Sequence, residues 1–481
     1  MPVQIHWFRR DLRLADNTAL AAAARRGTVL PVFVIDPEIL RRPDTGPARF
    51  AFLCAGLQAL DKELRQAGSR LLVRQGEPAA VLREVARRHD ATGLFFNRDY
   101  EPFATDRDAR VTSALQSEGL AVKSHKDDVL AELGELPGPR PFQVFTPFFR
   151  AWMARITLER LIEEASPGGQ FVGAEAIDSD PLPTPAQPGG KLPAAIPKAG
   201  HLAGNAALER FARDAMGAYS DNRDRLDRAA SSRISYFLRF GMVSIRECLR
   251  LARRHPGPGS EAWQRQLAWR DFYRQLLAAT PRLERESMDI RLSELAWNDD
   301  PARLLAWREG LTGYPVVDAA MRQLAQEGWL PNRARLITAS FLTKDLGIHW
   351  RQGERVFMER LLDGDLANNN GGWQWVAGTG ADPQPFFRVF NPTLQGQRFD
   401  PEGAYVRRWC PELAGIPAAG IHEPRLLPSS EQRRWGCVIG RDYPAPIVDH
   451  QQARQAAIGR FALLRAKAGA SGAAPRSHAR S

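Results

Sequence analysis

The stretch richest in groups that could do chemistry runs from Leu361 to Pro392, LLDGDLANNNGGWQWVAGTGADPQPFFRVFNP. It places two carboxylates (Asp363, Asp365), three consecutive amides (Asn368, Asn369, Asn370), a Gly371-Gly372 pair and two indoles (Trp373, Trp375) in one span. Carboxylates and amides make directional hydrogen bonds, a glycine pair lets the backbone approach a ligand closely, and indole faces stack on flat rings. The span is too polar for a core and too aromatic for a solvent loop, which describes a pocket for a flat, hydrogen-bonding ligand. The competing reading is an ordinary Asn/Gly loop ended by tryptophans that plug the core.

A second group lies in Ser260 to Ala279, where Trp263, Gln266, Trp269, Arg270 and Tyr273 recur at helical spacing and share a face. Indoles, an amide and a guanidinium suit a pocket for an aromatic, anionic partner; as a core stripe, the same face would have Arg270 snorkelling outward. Ser231-Ser232-Arg233-Ile234-Ser235 stands at the expected start of a helix, where free amides and the macrodipole favour phosphate, although hydroxyls there also serve as N-caps. Asn332, Arg335 and Leu336 share another helical face. Ten of the 12 tryptophans lie beyond residue 201, more than packing a helical domain requires, and point to a stacked ligand or to redox use.

Two kinds of scaffold must hold these groups. Up to about residue 130, short apolar runs (Val3 to Phe8, Val29 to Ile35, Leu71 to Arg74, Gly93 to Asn97, Leu120 to Ser124) alternate with helical stretches (Thr18 to Arg25, Ala48 to Gln66, Pro78 to His89, Thr105 to Glu118). That alternation predicts an α/β domain, a Rossmann-like, doubly wound parallel sheet covered by helices on both faces. No G-x-G-x-x-G follows the first strand and no G-x-x-x-x-G-K-[ST] occurs, so dinucleotide and phosphate-loop chemistry are not expected there. Residues 131–200, rich in Pro, Gly and Ala around a helical piece near Phe148 to Ile162, read as an inter-domain linker laid over the surface. Residues 201–467 are expected to form an all-α domain, with helices near Asn205 to Met216, Arg233 to Arg239, Ser244 to Arg254, Ser260 to Ala279, Pro315 to Glu327, Asn332 to Lys344 and Glu354 to Leu362, and 468–481 a disordered basic tail.

Composition narrows the class. The 481 residues, 44% hydrophobic and 25% charged, fit a soluble protein of two or three domains. The formal charge of +11 favours a polyanionic partner. Cys54, Cys248, Cys410 and Cys437 show no C-x-x-C spacing and the nine histidines no H-x-x-x-H pair, so neither a zinc site nor a disulfide framework is expected, and a reducing, intracellular compartment fits. No apolar run approaches the ~20 residues of a membrane span, and a cytoplasmic location is expected.

Four motifs then stand in order along nearly the whole chain: Trp7-Phe8-Arg9-Arg10-Asp11-Leu12-Arg13, Trp269-Arg270-Asp271-Phe272-Tyr273, Gly328-Trp329-Leu330-Pro331-Asn332-Arg333 and Phe390-Asn391-Pro392. With the Leu361 to Pro392 segment, they resemble the photolyase and cryptochrome family of flavin-dependent blue-light proteins, most closely its class I cyclobutane pyrimidine dimer photolyases. The resemblance implies FAD, reduced in the active form, within the helical domain. It places Tyr219 with Ser231, Ser232, Arg233, Ile234 and Ser235 at the FAD pyrophosphate, serine standing for the family's leading threonine. Trp263, Arg270, Arg335, Asp363, Gly364, Asp365 and Asn369 match cofactor contacts. Asn369 corresponds to the residue beside flavin N5, asparagine in photolyases and commonly aspartate or cysteine in signalling cryptochromes. Trp297, Trp350 and Trp373 match the family's electron-transfer chain.

On the substrate side, the resemblance gives Trp269 and Trp375 as the pair packed against the dimer. Arg223, Arg270, Asn332, Arg333 and Gln395 match contacts to DNA or lesion, and Gln266 stands where the family usually has a lesion-contacting glutamate. Asn332 and Leu336 occupy the positions of two histidines in (6-4) photoproduct photolyases, which disfavours that substrate. Photolyases extrude the target nucleotide from the duplex, so UV-damaged DNA is the implied partner, of a monomer with no membrane association. Gly46-Pro47-Ala48-Arg49 and Asn97-Arg98-Asp99-Tyr100-Glu101-Pro102 resemble antenna-pocket segments, with Arg49 and Asp99 as contacts and 8-hydroxy-5-deazaflavin favoured over methenyltetrahydrofolate. The alternative is a cryptochrome-type photoreceptor that binds FAD without repair; Asn369, the Trp269 and Trp375 pair and the short tail disfavour it. A flavin-free nucleic-acid-binding module leaves Asp363, Asp365 and the tryptophan chain without purpose.

Overall fold

The computed structural model describes residues 1–138, 140–158, 161, 170–185, 192–385 and 387–470. Its first half is a five-stranded parallel sheet, β1 (Val3–Phe8), β2 (Thr28–Ile35), β3 (Leu72–Gln75), β4 (Ala91–Asn97) and β5 (Ala121–His125), in the order β3-β2-β1-β4-β5. The helices between them are α1 (Thr18–Ala24), α2 (Pro37–Arg41), α3 (Pro47–Gln66), α4 (Pro78–Arg88) and α5 (Pro102–Gln116). Central strands are continuous apolar runs because both faces are covered; β1 buries Ile5, Trp7 and Phe8 almost completely. Helix starts are local chemistry. The Asn17 carboxamide accepts from Leu20 N at 3.1 Å, Asp36 from Glu38 N at 2.9 Å, and prolines begin α2 to α5, where a missing N–H costs nothing. The strand order reverses between β1 and β4, and a crevice opens there at the carboxyl ends of the strands, lined by Arg10, Asp99, Asp127 and Asp128 among others.

The stretch 131–200 differs from the expected surface connection. Helix α6 (Phe145–Leu158) carries Phe145, Phe148, Trp152 and Ile156 on one face at helical spacing, all at most 1% exposed. Burying that stripe draws the helix against the second half of the molecule. Further on, the chain returns to the sheet: Val29 N donates to Gln170 O at 2.8 Å and Val172 N to Val29 O at 2.9 Å. The end of the expected helical piece, at residue 162, lies outside the described residues.

The second half is helical: α7 (His201–Asp214), α8 (Tyr219–Asn222), α9 (Ser235–Arg239), α10 (Ile245–Arg254), α11 (Pro258–Ala279), α12 (Pro301–Glu309), α13 (Pro315–Glu327), α14 (Asn332–Ser340), α15 (Trp350–Arg360), α16 (Leu366–Ala377) and α17 (Pro392–Phe399), closing with a helix at His450–Ala470. Helix α14 runs into a π-helical turn at Phe341–Asp345 instead of continuing regularly to Lys344. Residues 468–470 of the expected tail are helical, and 471–481 lie outside the described residues. The halves share one core. Phe8, Leu12, Phe52 and Leu57 belong to the same buried cluster as Phe237, Phe240, Met242 and Trp263. Phe52 meets Tyr236 at 5.2 Å, Phe237 at 5.8 Å and Phe240 at 5.7 Å between ring centroids. No helix among the described residues is long and apolar enough to cross a membrane.

Candidate functional site

The Asn/Gly stretch folds as a helix because of what flanks it. Asp365 caps α16, its Oδ1 accepting from Asn368 N at 3.1 Å, and neighbouring helices supply the packing that Asn and Gly lack in propensity. Helices α11, α14 and α15 all pack on α16. A Cβ on Gly371 would lie 2.1 Å from the Tyr273 ring, so the bare glycine lets α11 approach. A Cβ on Gly372 would meet nothing within 4 Å.

The two aspartates are distinct in environment. Asp365 Oδ2 accepts from Arg10 Nη2 and Arg274 Nη2, both at 2.6 Å, and Oδ1 from the Asn368 amide at 2.7 Å, so both its oxygens serve the protein. Burial opposes its ionisation, but Arg274, Arg10, Arg239 and Arg270 overcome that and hold the carboxyl well below the usual carboxylate range. Arg10 also reaches Asp99 at 3.1 Å and Glu101 at 2.8 Å, and Asp128 pairs with both Arg270 and Arg274. Asp363 accepts from Arg335 Nη2 at 2.7 Å through Oδ2, while its Oδ1 is buried without a hydrogen-bond partner. A buried, unpartnered carboxylate oxygen calls for a donor from a ligand. Gly364 differs again: its carbonyl accepts from Arg239 Nε at 2.6 Å, and a Cβ there would lie 2.0 Å from the Arg49 guanidinium.

Along α11 the expected face divides among several partners. Trp263 is 2% exposed and packs on Phe211, centroids 5.1 Å apart, which in turn meets Tyr219 at 5.5 Å. A Cβ at Gly259 would strike Met216 O at 1.9 Å, so glycine is what lets α11 start against the α7–α8 connection. Gln266 is half-buried and its Nε2 donates back to Ala262 O at 3.3 Å. Trp269 stacks on Phe145, centroids 3.7 Å apart at 2°. The Arg270 guanidinium donates to the Asp128 carboxylate and carbonyl, which places it within the charge cluster.

The hydroxyl segment leads into α9, only five residues long, so the dipole argument carries little weight there. Ser231 and Ser232 are half-buried and Ile234 is buried. Ser235 Oγ accepts from Trp329 Nε1 at 3.3 Å. Arg233 holds a left-handed φ of 50°, pairs with Glu327 at 3.0 Å and lies 4.3 Å over the Trp329 ring. Elsewhere Asn332 is exposed at the start of α14, Arg333 pairs with Asp224 at 2.7 Å over the Phe399 ring, and Arg223, Leu336, Trp375 and Gln395 are half-buried.

The three tryptophans of the expected chain occupy a different setting. Trp373 and Trp350 are 2% and 1% exposed, and Trp297 is half-buried. Trp373 contacts Phe357 at 5.0 Å and Trp307 at 6.0 Å, while a Cβ on Gly353 would lie 2.1 Å from its ring. Asn369 Nδ2 donates to Glu354 O at 3.0 Å, and Asn370 Nδ2 to Glu354 Oε1 at 3.0 Å. Burial raises the Glu354 carboxyl from 4.5 to about 7 despite that bond. Sequence reasoning missed Arg10, Arg274, Asp128 and Glu354; the Arg-Arg-Asp run at 9–11 was the visible signal for the first.

Of the two antenna positions, Asp99 lines the crevice at the end of the sheet and is paired with Arg10. Arg49 is buried on α3 and donates to Met358 O at 2.8 Å and Leu361 O at 3.3 Å, joining α3 to the end of α15. Burial, then the nearby Arg239 charge, pushes it down to about 10.

Comparison with known proteins gives one answer over both halves. Residues 4–168 match the family described as DNA photolyase, and residues 263–463 match the FAD binding domain of DNA photolyase. A deoxyribodipyrimidine photo-lyase of Halobacterium salinarum is 42% identical over 96% of this chain and 99% of its own length. The crystal structure of a class III photolyase from Agrobacterium tumefaciens superposes with a TM-score of 0.89 at 35% identity, covering 97% of this chain and 98% of that one. A Synechocystis cryptochrome superposes with a TM-score of 0.87 at 31% identity, covering 95% of this chain and 99% of that one.

Proposed function

Because the chain belongs to the DNA photolyase family, we propose that it is a light-driven repair enzyme that splits cyclobutane pyrimidine dimers in DNA, a deoxyribodipyrimidine photo-lyase. The observation that carries this is the end-to-end similarity to an enzyme of that name, at 42% identity over 99% of its length.

FAD, when bound and reduced, supplies an electron to the dimer on absorbing light and recovers it after the ring opens, so the protein's task is geometry, hydrogen bonding and exclusion of water. The chain's residues suit that task. The unpartnered Oδ1 of Asp363 offers an acceptor to a ring N–H, Arg335 fixes the same carboxylate through Oδ2, and the open space at Gly372 leaves room beside α16. Asp365 holds the segment rather than the ligand, through Arg10 and Arg274. Tyr219 and Ser231 to Ser235 are assigned to the pyrophosphate, with Trp263 beside them through Phe211. Trp269 and Trp375 flank the extruded dimer; Gln266 donates to a dimer carbonyl, and its neutral amide places no charge beside the extra electron. Arg223, Asn332, Arg333 and Gln395 meet the DNA. Trp297, Trp350 and Trp373 pass an electron inward from the surface when the flavin has been oxidised. Asp99 is the better supported of the two antenna contacts, since it alone lines the crevice, and the deazaflavin reading follows from the sequence motifs. A cytoplasmic monomer acting on UV-damaged DNA completes the reading.

The test is to load the protein with reduced FAD, illuminate it with dimer-containing DNA and measure dimers remaining. Light-dependent loss is expected, together with affinity that falls with salt at a slope of roughly −0.9 per phosphate contacted. Gln266→Ala should lower repair per absorbed photon severalfold. A protein that binds FAD yet leaves dimers intact in light overturns the repair reading in favour of a photoreceptor.

A further inference from the structure

His349 stands between two of the tryptophans. Its imidazole centroid is 5.1 Å from that of Trp297 and 5.6 Å from that of Trp350, with interplanar angles of 52° and 30°. The placement is built by the backbone. Residues 297–298 lie alongside 347–349 in a short parallel bridge, with Asn298 N donating to Gly347 O at 2.8 Å and Asn298 Nδ2 to Leu346 O at 2.7 Å. Arg460 from the last helix donates to Ala296 O at 3.4 Å and Gly347 O at 3.2 Å, tying both sides of that bridge together. The ring's own orientation is fixed by a separate bond, because Nδ1 accepts from Arg351 N at 3.1 Å and so caps α15. With Nδ1 committed as acceptor, the neutral ring carries its proton on Nε2 and adds no charge between the indoles.

We propose that His349 is the bridge through which an electron crosses from Trp297 to Trp350, a positioning residue locked in place by the cap it provides to α15. The proposal rests on the reading of Trp297, Trp350 and Trp373 as an inward electron relay. The balance is one electron. Trp297 loses it, ends oxidised and gives up its indole proton to solvent; Trp350 and Trp373 each lose one electron inward and regain one from outside; an oxidised flavin, when bound, would supply the acceptor on excitation by light. His349 is neither oxidised nor reduced. An imidazole is harder to oxidise than an indole, so its part is to fill the gap between the two rings with conjugated atoms.

Ring and cap are separable by substitution. His349→Asn keeps an N-capping side chain and removes the ring, whereas His349→Phe keeps a ring and removes the cap. In flash photolysis of the FAD-loaded, oxidised protein, His349→Asn should form the long-lived tryptophan radical severalfold more slowly than wild type, while its urea midpoint stays put. His349→Phe should retain the radical and show a lowered urea midpoint. Wild-type radical kinetics in His349→Asn overturn the bridge, and if the radical is then lost in His349→Phe, His349 acts through helix capping alone. Trp297→Phe serves as the control on the underlying reading: an undiminished long-lived radical in that variant shows that the relay does not run through Trp297, independently of His349.

Discussion

At the amino end of α16, Asp365 is gripped by Arg10 and Arg274 within a buried group of guanidiniums and carboxylates. About two turns along the same helix, Trp373 is surrounded by the Phe357 and Trp307 rings and the bare backbone of Gly353. The first region is held by directional pairs between charges that are costly to bury singly, so removing one partner strands the others. The second is held by shape, and its tolerance is set by volume. The guanidinium cluster therefore lies at the amino end of α16 and the rings further along it, while the buried Lys344 ammonium donates to Ala377 O at 2.7 Å at the carboxyl end.

The largest effect should come from the ionic end. Asp365→Asn keeps a capping side chain but leaves Arg10 and Arg274 facing a neutral amide, at an expected cost of about 3–5 kcal/mol in urea unfolding. A loss under about 1 kcal/mol would show that the ion pairs contribute no more than a surface pair and would erase the contrast.

Next comes Glu354, which accepts from Asn369 and Asn370 between the two regions of α16. Burial raises its carboxyl from 4.5 to about 7, so between those values the folded protein keeps a proton that the unfolded chain gives up. Stability should fall as pH rises through that window, by on the order of 3 kcal/mol in all. Glu354→Gln should flatten that dependence in urea titrations at pH 4.5 and pH 7; parallel curves for the two proteins would place Glu354 in a wetter setting than its 7% exposure suggests. The smallest effect belongs to the ring end. A Gly353→Ala methyl would sit 2.1 Å from Trp373 and 2.5 Å from Leu342, an overpacking worth about 1–3 kcal/mol. A neutral result would mean that the aromatic region yields more easily than a close-packed core.

Much of this was legible in the sequence. Short apolar runs alternating with period-3.6 stretches located all five strands within two residues at each end, since the central strands β1, β2 and β4 are covered on both faces and bounded by turns. Helix α16 was not legible, because Asn-Asn-Asn-Gly-Gly has poor helix propensity and its helicity comes from the Asp365 cap and from three packed neighbours. Residue types at the site were legible and partners were not. Nothing local to Arg10 announces a carboxylate 355 positions away. The apolar spacing of Phe145, Phe148, Trp152 and Ile156 was visible within the connecting stretch, but the Pro- and Gly-rich flanks concealed that the helix is part of the core.

The family descriptions divide the chain into two modules, 4–168 and 263–463, whereas its buried side chains do not. Besides the rings around Phe52, Asp16 of the first half accepts from Arg246 at 3.1 Å and Arg250 at 2.9 Å of the second, and Arg13 donates to Gly241 O at 2.8 Å. Neither half can lose its partner without exposing apolar surface and leaving Asp16 without its guanidiniums. Heat should therefore melt the molecule as one cooperative unit, with a calorimetric enthalpy equal to the van't Hoff value, where a pair of independent modules would give two transitions. The distance and angle between the crevice at the sheet and the segment around Asp363 are then as fixed as those within a single domain, and a chromophore in the first would keep a constant transition-dipole orientation toward one in the second.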